Sequence, residues 1–429
     1  MSRQLGEIRE LPRDEAFALT ADFKADKDPN KVSLGAGVYR DRQGKPWVLP
    51  SVQAAKKILH EAEGLDHEYL PIQGSVAFLD LAKEVLLGKE LSSAAEIASI
   101  QTISGTGANH VGAAFLAEQL QPRHVLISDP TWSNHHLVWT IGAPNVIQKT
   151  YPYYNAETRL FDFDSMLETL TNEALENDIV ILHACAHNPT GIDPTQHQWR
   201  KIAEVIRQKK LFAFFDCAYQ GFATGDLDTD AWAIRHFQET LFMTTDGKKD
   251  AEDGPAGMCI AQSFAKNFGL YGERVGAFHL ILPPGSSISG AHSQLLRLSR
   301  AEISNPPLYG ARIVQTVLSE TTLRNMWEQD LMTMAGRITK TRALLRRELE
   351  KRGGSKDWSH IESQIGMFSY TGLNEAQVQR LRDVHHVYLM SNGRASLSGV
   401  NEVNVEYVAA AIHEVVACNR SAVIQAHSG

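Results

Sequence analysis

Asp178-Ile179-Val180-Ile181-Leu182-His183, then the loop His187-Asn188-Pro189-Thr190-Gly191, then Leu211-Phe212-Ala213-Phe214-Phe215-Asp216 is the stretch whose reading decides the fold. Each apolar run is short and continuous, which predicts strands buried on both faces of a sheet. Between them, Asp193 and Pro194 predict the cap and first position of a helix, on which Trp199, Ile202, Ala203 and Ile206 share one face. Strand, helix and strand in that order form one βαβ unit of a parallel sheet. Working outward, further strands are predicted at Val125–Ser128, Met258–Gln262 and Ala277–Leu282, so the region from about residue 100 to 285 reads as a mainly parallel sheet with helices. Asp129, His183, Asp216 and Ser263 stand at or just after the ends of these strands, the edge at which open α/β sheets bind ligands.

Beyond Pro306-Pro307 the pattern changes to long helices, with Trp327, Leu331, Met334, Ile338, Leu345 and Leu349 spaced as one buried stripe and Gly353-Gly354 ending the run. Shorter strand-like pieces follow (Gly366–Tyr370, Val387–Met390, Ala395–Ser398), and a closing helix is expected from about Val403 to Ala417. This predicts a second, smaller α+β domain. The polar stretch Asp246–Gly257 reads as a surface loop, and no internal repeat is apparent.

The composition, 43% hydrophobic and 21% charged over 429 residues, permits a sizeable core and more than one domain. No apolar run approaches the ~20 residues needed to cross a bilayer. A net charge of −8 and the glutamates interrupting the basic stretch Arg337–Arg352 argue against a nucleic-acid partner. The four cysteines lack paired spacing and read as reduced intracellular thiols. The acidic start, with Glu7, Glu10, Asp14, Glu15, Asp22, Asp26 and Asp28, is wrong for an organellar transit peptide, so a cytoplasmic location is expected.

Several residues invite a chemical reading. Lys266 follows a buried strand among aromatic residues, in Ser263-Phe264-Ala265-Lys266-Asn267-Phe268-Gly269. A strand-end lysine is more often simply exposed, and its spacing from Ser263 also occurs in serine acyl-transferring enzymes, whose companion motifs are missing here. Asp216 ends a buried strand and needs a cationic or donor partner to stay ionised; a helix cap is the bland alternative. Ser104-Gly105-Thr106-Gly107-Ala108 precedes a helix and can cradle a phosphate, although it is not a dinucleotide fingerprint. His183 and His187 lack a metalloprotease pattern and read as structural or supporting histidines, so no metal is expected. Trp132, beside Asp129-Pro130-Thr131, reads as a core residue or as the cover of a flat ring.

Together these motifs resemble the aspartate aminotransferases of the fold-type-I class of pyridoxal-phosphate enzymes. The resemblance runs from Leu19-Thr20-Ala21-Asp22-Phe23 to the helix near Val416. It includes Tyr69-Leu70-Pro71-Ile72, Ser104-Gly105-Thr106-Gly107, His183-Ala184-Cys185-Ala186-His187-Asn188-Pro189-Thr190-Gly191, Asp216-Cys217-Ala218-Tyr219-Gln220-Gly221-Phe222 and Gln262-Ser263-Phe264-Ala265-Lys266-Asn267-Phe268-Gly269-Leu270-Tyr271. It implies an N-terminal arm (1–14), a small domain (15–47 and 326–429) and a large cofactor domain (48–325) built on a seven-stranded sheet.

The resemblance also implies roles. Lys266 holds pyridoxal 5'-phosphate as a Schiff base and then shuttles the proton between the substrate Cα and the cofactor. Asp216 pairs with the pyridinium nitrogen, Asn188 and Tyr219 bond the phenolic oxygen, and Trp132 stacks on the ring. Ser104, Gly105, Thr106, Ser263 and Arg274 hold the phosphate, joined by Tyr69 from the other subunit of a homodimer. Arg394, helped by Asn188 and the backbone of Gly37, takes the α-carboxylate; Arg300, five residues before Asn305, reaches across the dimer to the distal carboxylate. Ala36, in Leu34-Gly35-Ala36-Gly37, replaces a larger aliphatic residue of many relatives, which leaves substrate breadth open.

The function implied is ping-pong exchange of the amino group between aspartate and 2-oxoglutarate. The alternatives are an aminotransferase of broader aromatic and dicarboxylic specificity, or a lyase of the same fold. A non-catalytic cofactor-binding regulator would tolerate losing Lys266 or Arg394, and both are present.

Overall fold

The apolar runs form the middle of a seven-stranded sheet. In chain order its strands are β1 (Glu96–Ile103), β2 (His124–Asp129), β3 (Ile147–Pro152), β4 (Ile179–His183), β5 (Phe212–Cys217), β6 (Met258–Ser263) and β7 (Val275–Leu282). Across the sheet they lie in the order β1-β7-β6-β5-β4-β2-β3. Neighbours are parallel except around β7, which runs antiparallel to β1 and β6. The computed structural model describes residues 8–41, 43–64, 66–242, 254–354 and 356–427.

Alternation of side chains along these strands divides the interior between two faces. Ile179, Ile181, Phe212, Phe214, Cys259 and Ala261 join a core with residues of the helices Ser104–Gln119 and Asn134–Gly142. Val180, Leu182, Ala213, Phe215, Met258 and Ile260 join another with the helices Gln196–Gln208 and Leu227–Phe242. Because helices cover both faces, both sets of side chains must be apolar, which explains the continuous hydrophobic runs.

The helix after β4 buries Trp199, Ile202, Ala203 and Ile206 as its spacing requires, but it starts later than expected. Thr195 is its cap, in a reciprocal arrangement with Gln198. Asp193 instead turns back and accepts hydrogen bonds from the backbone N–H groups of Ala186 (2.6 Å) and His187 (2.9 Å). It thereby fixes the loop that carries Asn188.

The reversal of β7 matters for what gathers at the sheet edge. Its first residues pair with the last residues of its neighbours, Gly276 with Ser263 and Val275 with Ile103. Arg274 is thus delivered to the carboxyl edge of the parallel strands, where its carbonyl accepts from the Ser104 N–H at 3.2 Å.

The helix Thr321–Lys351 buries the whole expected stripe, from Trp327 to Leu349. Past it, Phe368–Tyr370 pairs antiparallel with Arg394–Ser396, and Val387–Tyr388 pairs parallel with Val32–Ser33 near the other end of the chain. Val32, Leu34, Val387, Leu389 and the Trp327 stripe consequently share one core. The closing helix spans Val405–His427, longer than expected. Of the expected loop 246–257, residues 246–253 lie outside the described residues. Among the described residues, no helix is long and apolar enough to cross a membrane.

Candidate active site

At the carboxyl edge one cavity is lined by Ser104, Gly105, Thr106, Trp132, His183, Asn188, Asp216, Tyr219, Ser263, Lys266 and Arg274, among others. One group of these is made of donors. The helix Ser104–Gln119 has no side-chain cap, and its first backbone N–H groups have no intrahelical acceptor. Ser104 opens it in a left-handed conformation, φ 56°, with its hydroxyl 3.0 Å from that of Ser263. Position 105 has no room for a side chain, since a Cβ there would lie 3.0 Å from Ser263 Cβ. Arg274 anchors one guanidinium nitrogen on the Tyr271 carbonyl at 3.0 Å. Helix N-terminus, two hydroxyls and a guanidinium make an anion cradle.

Another part of the wall centres on Asp216, buried near the end of β5. His135 Nε2 donates to its Oδ2 at 3.0 Å, and Thr131 Oγ1 lies 2.9 Å from His135 Nδ1. Burial alone would raise the Asp216 carboxyl. The His135 hydrogen bond, with the charges of His135 and Lys266, outweighs it and holds the group below the ordinary carboxylate range. His183 is buried with both ring nitrogens unpartnered, and burial, reinforced by His187 and His135, keeps it neutral. His135, His183 and Asp216 offer metal-ligand atoms within 4.8 Å of one another. His135, however, has both nitrogens engaged by Thr131 and Asp216, so hydrogen bonding accounts for the pairing of His135 with Asp216 and leaves His183 outside it.

Lys266 follows β6, and its Nζ lies 5.6 Å from the centroid of the Tyr219 ring. Burial pushes its amine down to about 8; Asp216 opposes that shift, while Arg274 and Arg394 add to it. Burial likewise raises the Tyr219 phenol, so it stays protonated. Trp132 meets His135 edge-on, with ring centroids 5.2 Å apart.

Arg394 begins the strand paired with Phe368–Tyr370. It donates to Asn188 Oδ1 (3.2 Å) and the Gly35 carbonyl (3.0 Å), and its guanidinium carbon lies 4.2 Å from the centroid of Phe368. Its Nε is buried without a partner. Gly37 packs on the same ring, with a Cβ there 3.2 Å from Phe368 Cζ. Arg394 is therefore joined to the cavity through Asn188. Arg300 and Tyr69 are not: Arg300 is exposed at the end of the helix Ile288–Glu302 and donates to Ser304, and Tyr69 is 81% exposed.

Sequence reasoning missed His135 and took Asp193 for a helix cap. The signal for His135 was only its position just after the strand end Asp129. His187, by contrast, is structural: its nitrogens lie 3.0 Å from Ser128 Oγ and 2.8 Å from Thr190 Oγ1, and it stacks on Tyr153. An anion cradle, an ionised buried carboxylate and an amine of lowered basicity in one cavity fit pyridoxal phosphate, which presents a phosphate, a ring nitrogen and an aldehyde.

Comparison with known proteins agrees with that chemistry. The family model for aminotransferase class I and II matches residues 29–412. An L-tyrosine:2-oxoglutarate aminotransferase of Aspergillus ustus is 45% identical over 423 residues, covering 96% of this chain and 78% of the relative. The structure of an aspartate aminotransferase from the cytoplasm of Saccharomyces cerevisiae superposes with a TM-score of 0.90 at 44% identity, covering 96% of this chain and 98% of the other. An aromatic-amino-acid aminotransferase of Burkholderia pseudomallei, solved covalently bound to pyridoxal phosphate, superposes at 0.88 with 39% identity over 96% of this chain and all (100%) of the other. The chain belongs to the class I and II aminotransferases, pyridoxal-phosphate enzymes of fold type I.

Proposed function

We propose that this protein transfers the amino group between L-aspartate and 2-oxoglutarate, giving oxaloacetate and L-glutamate in two half-reactions at one site. The observation that carries the reading is the Lys266 amine, held near neutrality in a cavity that also contains an ionised Asp216 and connects through Asn188 to Arg394. When bound, pyridoxal phosphate supplies an aldehyde that exchanges amines and a ring that accepts electrons from the substrate Cα.

The chain's own residues have distinct tasks. Ser104, Gly105, Thr106, Ser263 and Arg274 hold the phosphate, and Trp132 covers the ring. Asp216, kept ionised by His135, holds a proton on the ring nitrogen. Asn188 and Tyr219 orient the ring through its phenolic oxygen. Lys266 would hold the aldehyde and, with its amine free, would move the proton from the substrate Cα as a general base. Arg394 grips the α-carboxylate bidentately, with Gly37 leaving space beside Phe368.

In this reading Arg300 and Tyr69 act in the partner subunit of a homodimer, where Arg300 meets the distal carboxylate. Their exposure, outside the cavity of their own subunit, supports that placement. The division into an arm (1–14), a large domain (48–325) and a small domain (15–47 and 326–429) is part of the same proposal, as is a cytoplasmic location. A second reading, wider specificity that includes aromatic donors, is raised by the Aspergillus ustus relative, but aspartate aminotransferases of equal similarity favour the first. A panel of amino donors assayed against 2-oxoglutarate decides between them. Aspartate should lead, and Arg300→Asp should lower aspartate turnover by about 100-fold or more. Tyrosine leading in the parent, with aspartate turnover untouched in the variant, would refute the aspartate reading.

A further inference from the structure

We infer that Asp230 is a positioning residue for Tyr219, setting the aim of its phenol without touching cofactor or substrate. The inference rests on the proposed contact between Tyr219 and the cofactor. Asp230 is 3% exposed in the first turn of the helix Leu227–Phe242, but it does not cap that helix. Asp226 bonds the Thr229 N–H there, at 2.6 Å. Asp230 turns back on the loop after β5. Its Oδ2 accepts from the N–H groups of Gly221 (2.7 Å), Ala223 (3.1 Å) and Thr224 (3.3 Å), and its Oδ1 accepts from Thr224 Oγ1 (2.8 Å).

The same turn closes on Tyr219, whose carbonyl accepts from Phe222 (2.9 Å) and Ala223 (3.1 Å). Gly221, at φ 77°, allows the reversal. The turn is also tied to the lysine loop, because Asn267 Nδ2 donates to the Gln220 carbonyl at 3.1 Å. One buried carboxylate therefore gathers the N–H groups of the turn that starts at Tyr219, beside the segment carrying Lys266. A carboxylate accepts all of these bonds; a carboxamide placed there turns a donor towards N–H groups.

The test is a pH titration of the visible absorbance of the cofactor-loaded protein, comparing wild type, Tyr219→Phe, Asp230→Asn and the double variant. A phenol bonded to the cofactor's phenolic oxygen favours its deprotonated form, so Tyr219→Phe should raise the midpoint by about one pH unit. Asp230→Asn should raise it in the same direction, and the double variant should go no further than Tyr219→Phe alone. Thr224→Val removes one of the four bonds to the Asp230 carboxylate, together with the hydroxyl's contacts to the Asp226 backbone (3.1 and 3.3 Å), and should give a smaller shift of the same sign, which keeps the test available if Asp230→Asn does not fold. A midpoint unmoved by Asp230→Asn or Thr224→Val while Tyr219→Phe moves it, or shifts that simply add, would overturn the inference. A midpoint unmoved by Tyr219→Phe would instead overturn the assignment of Tyr219.

Discussion

Freed of cofactor, the protein should hold one lysine that reacts at neutral pH. Lysine attacks electrophiles as the neutral amine, so its rate rises with pH up to its own pKa and is flat above it. Lys266 is pushed down to about 8, chiefly by burial, from an ordinary 10.5. At pH 7 a group titrating at about 8 is about 9% neutral and one at about 10.5 is about 0.03% neutral, a ratio of roughly 300 in reactive species. The assay is brief exposure of the cofactor-free protein to limiting acetic anhydride across a pH series. The Lys266 peptide is quantified by mass spectrometry against one containing the exposed Lys57. The Lys266 rate should level off near pH 8. In Asp216→Asn it should level off at lower pH, because Asp216 is the charge that opposes the shift. A Lys266 rate still climbing above about pH 9.5, or a midpoint raised in Asp216→Asn, would refute the reasoning.

Two further outcomes follow from the site. His135→Asn removes the hydrogen bond that lowers the Asp216 carboxyl. The Asp216 pKa must then rise, so its charge is lost at higher pH as the solution is acidified. The acid limb of the activity profile should move to higher pH and turnover should fall by about tenfold or more; an acid limb that stays in place counts against the role of His135. The shared site is tested by dissociating and reassembling Lys266→Ala with Arg300→Ala. An equal mixture gives about half mixed dimers with one intact site each, hence roughly a quarter of wild-type activity from two defective parents. Confirmed mixed dimers no more active than the parents' average would place Arg300 in its own subunit's site.

The legible parts of this fold are those whose environment is uniform. β4, β5 and β6 are buried on both faces, so the sequence shows unbroken apolar runs there. β1 and β3 escape the same reading for different reasons. Both lie at sheet edges, but β3 stays partly exposed along Ile147–Thr150, so it carries Gln148 and Lys149. β1 is buried, but its polar residues are satisfied by distant partners: Ser99 by His279 at 2.8 Å, and Gln101 by the Ser75 N–H at 3.2 Å and the Pro307 carbonyl at 2.7 Å. Such pairings across the chain leave no periodic trace. Asp193 shows the same limit locally, since proline after aspartate suits a helix start while the loop behind it competes for the same carboxylate. In the site, Lys266, Asp216 and the Ser104 turn stand at strand ends, a position that by itself leaves an exposed lysine and a helix cap open; only the motifs taken together join them. His135 is not legible, because its partner Asp216 is distant in sequence.

The electrostatics of the cavity add one step to this account. Burial does most to lower the basicity of Lys266; Arg274 and Arg394 add to that shift, and Asp216 opposes it. Under the proposed function, a phosphate held by Arg274 and a carboxylate held by Arg394 would offset the arginine contributions, while burial, the larger one, would act in the empty and the occupied cavity alike. Asp216 does not need to change between these states: His135 holds it ionised from the side of Thr131, and His183, neutral and unpartnered, adds no competing acceptor charge. Burial, which ligands do not remove, therefore sets the basicity of Lys266, and Asp216 and the two arginines adjust it in opposite directions.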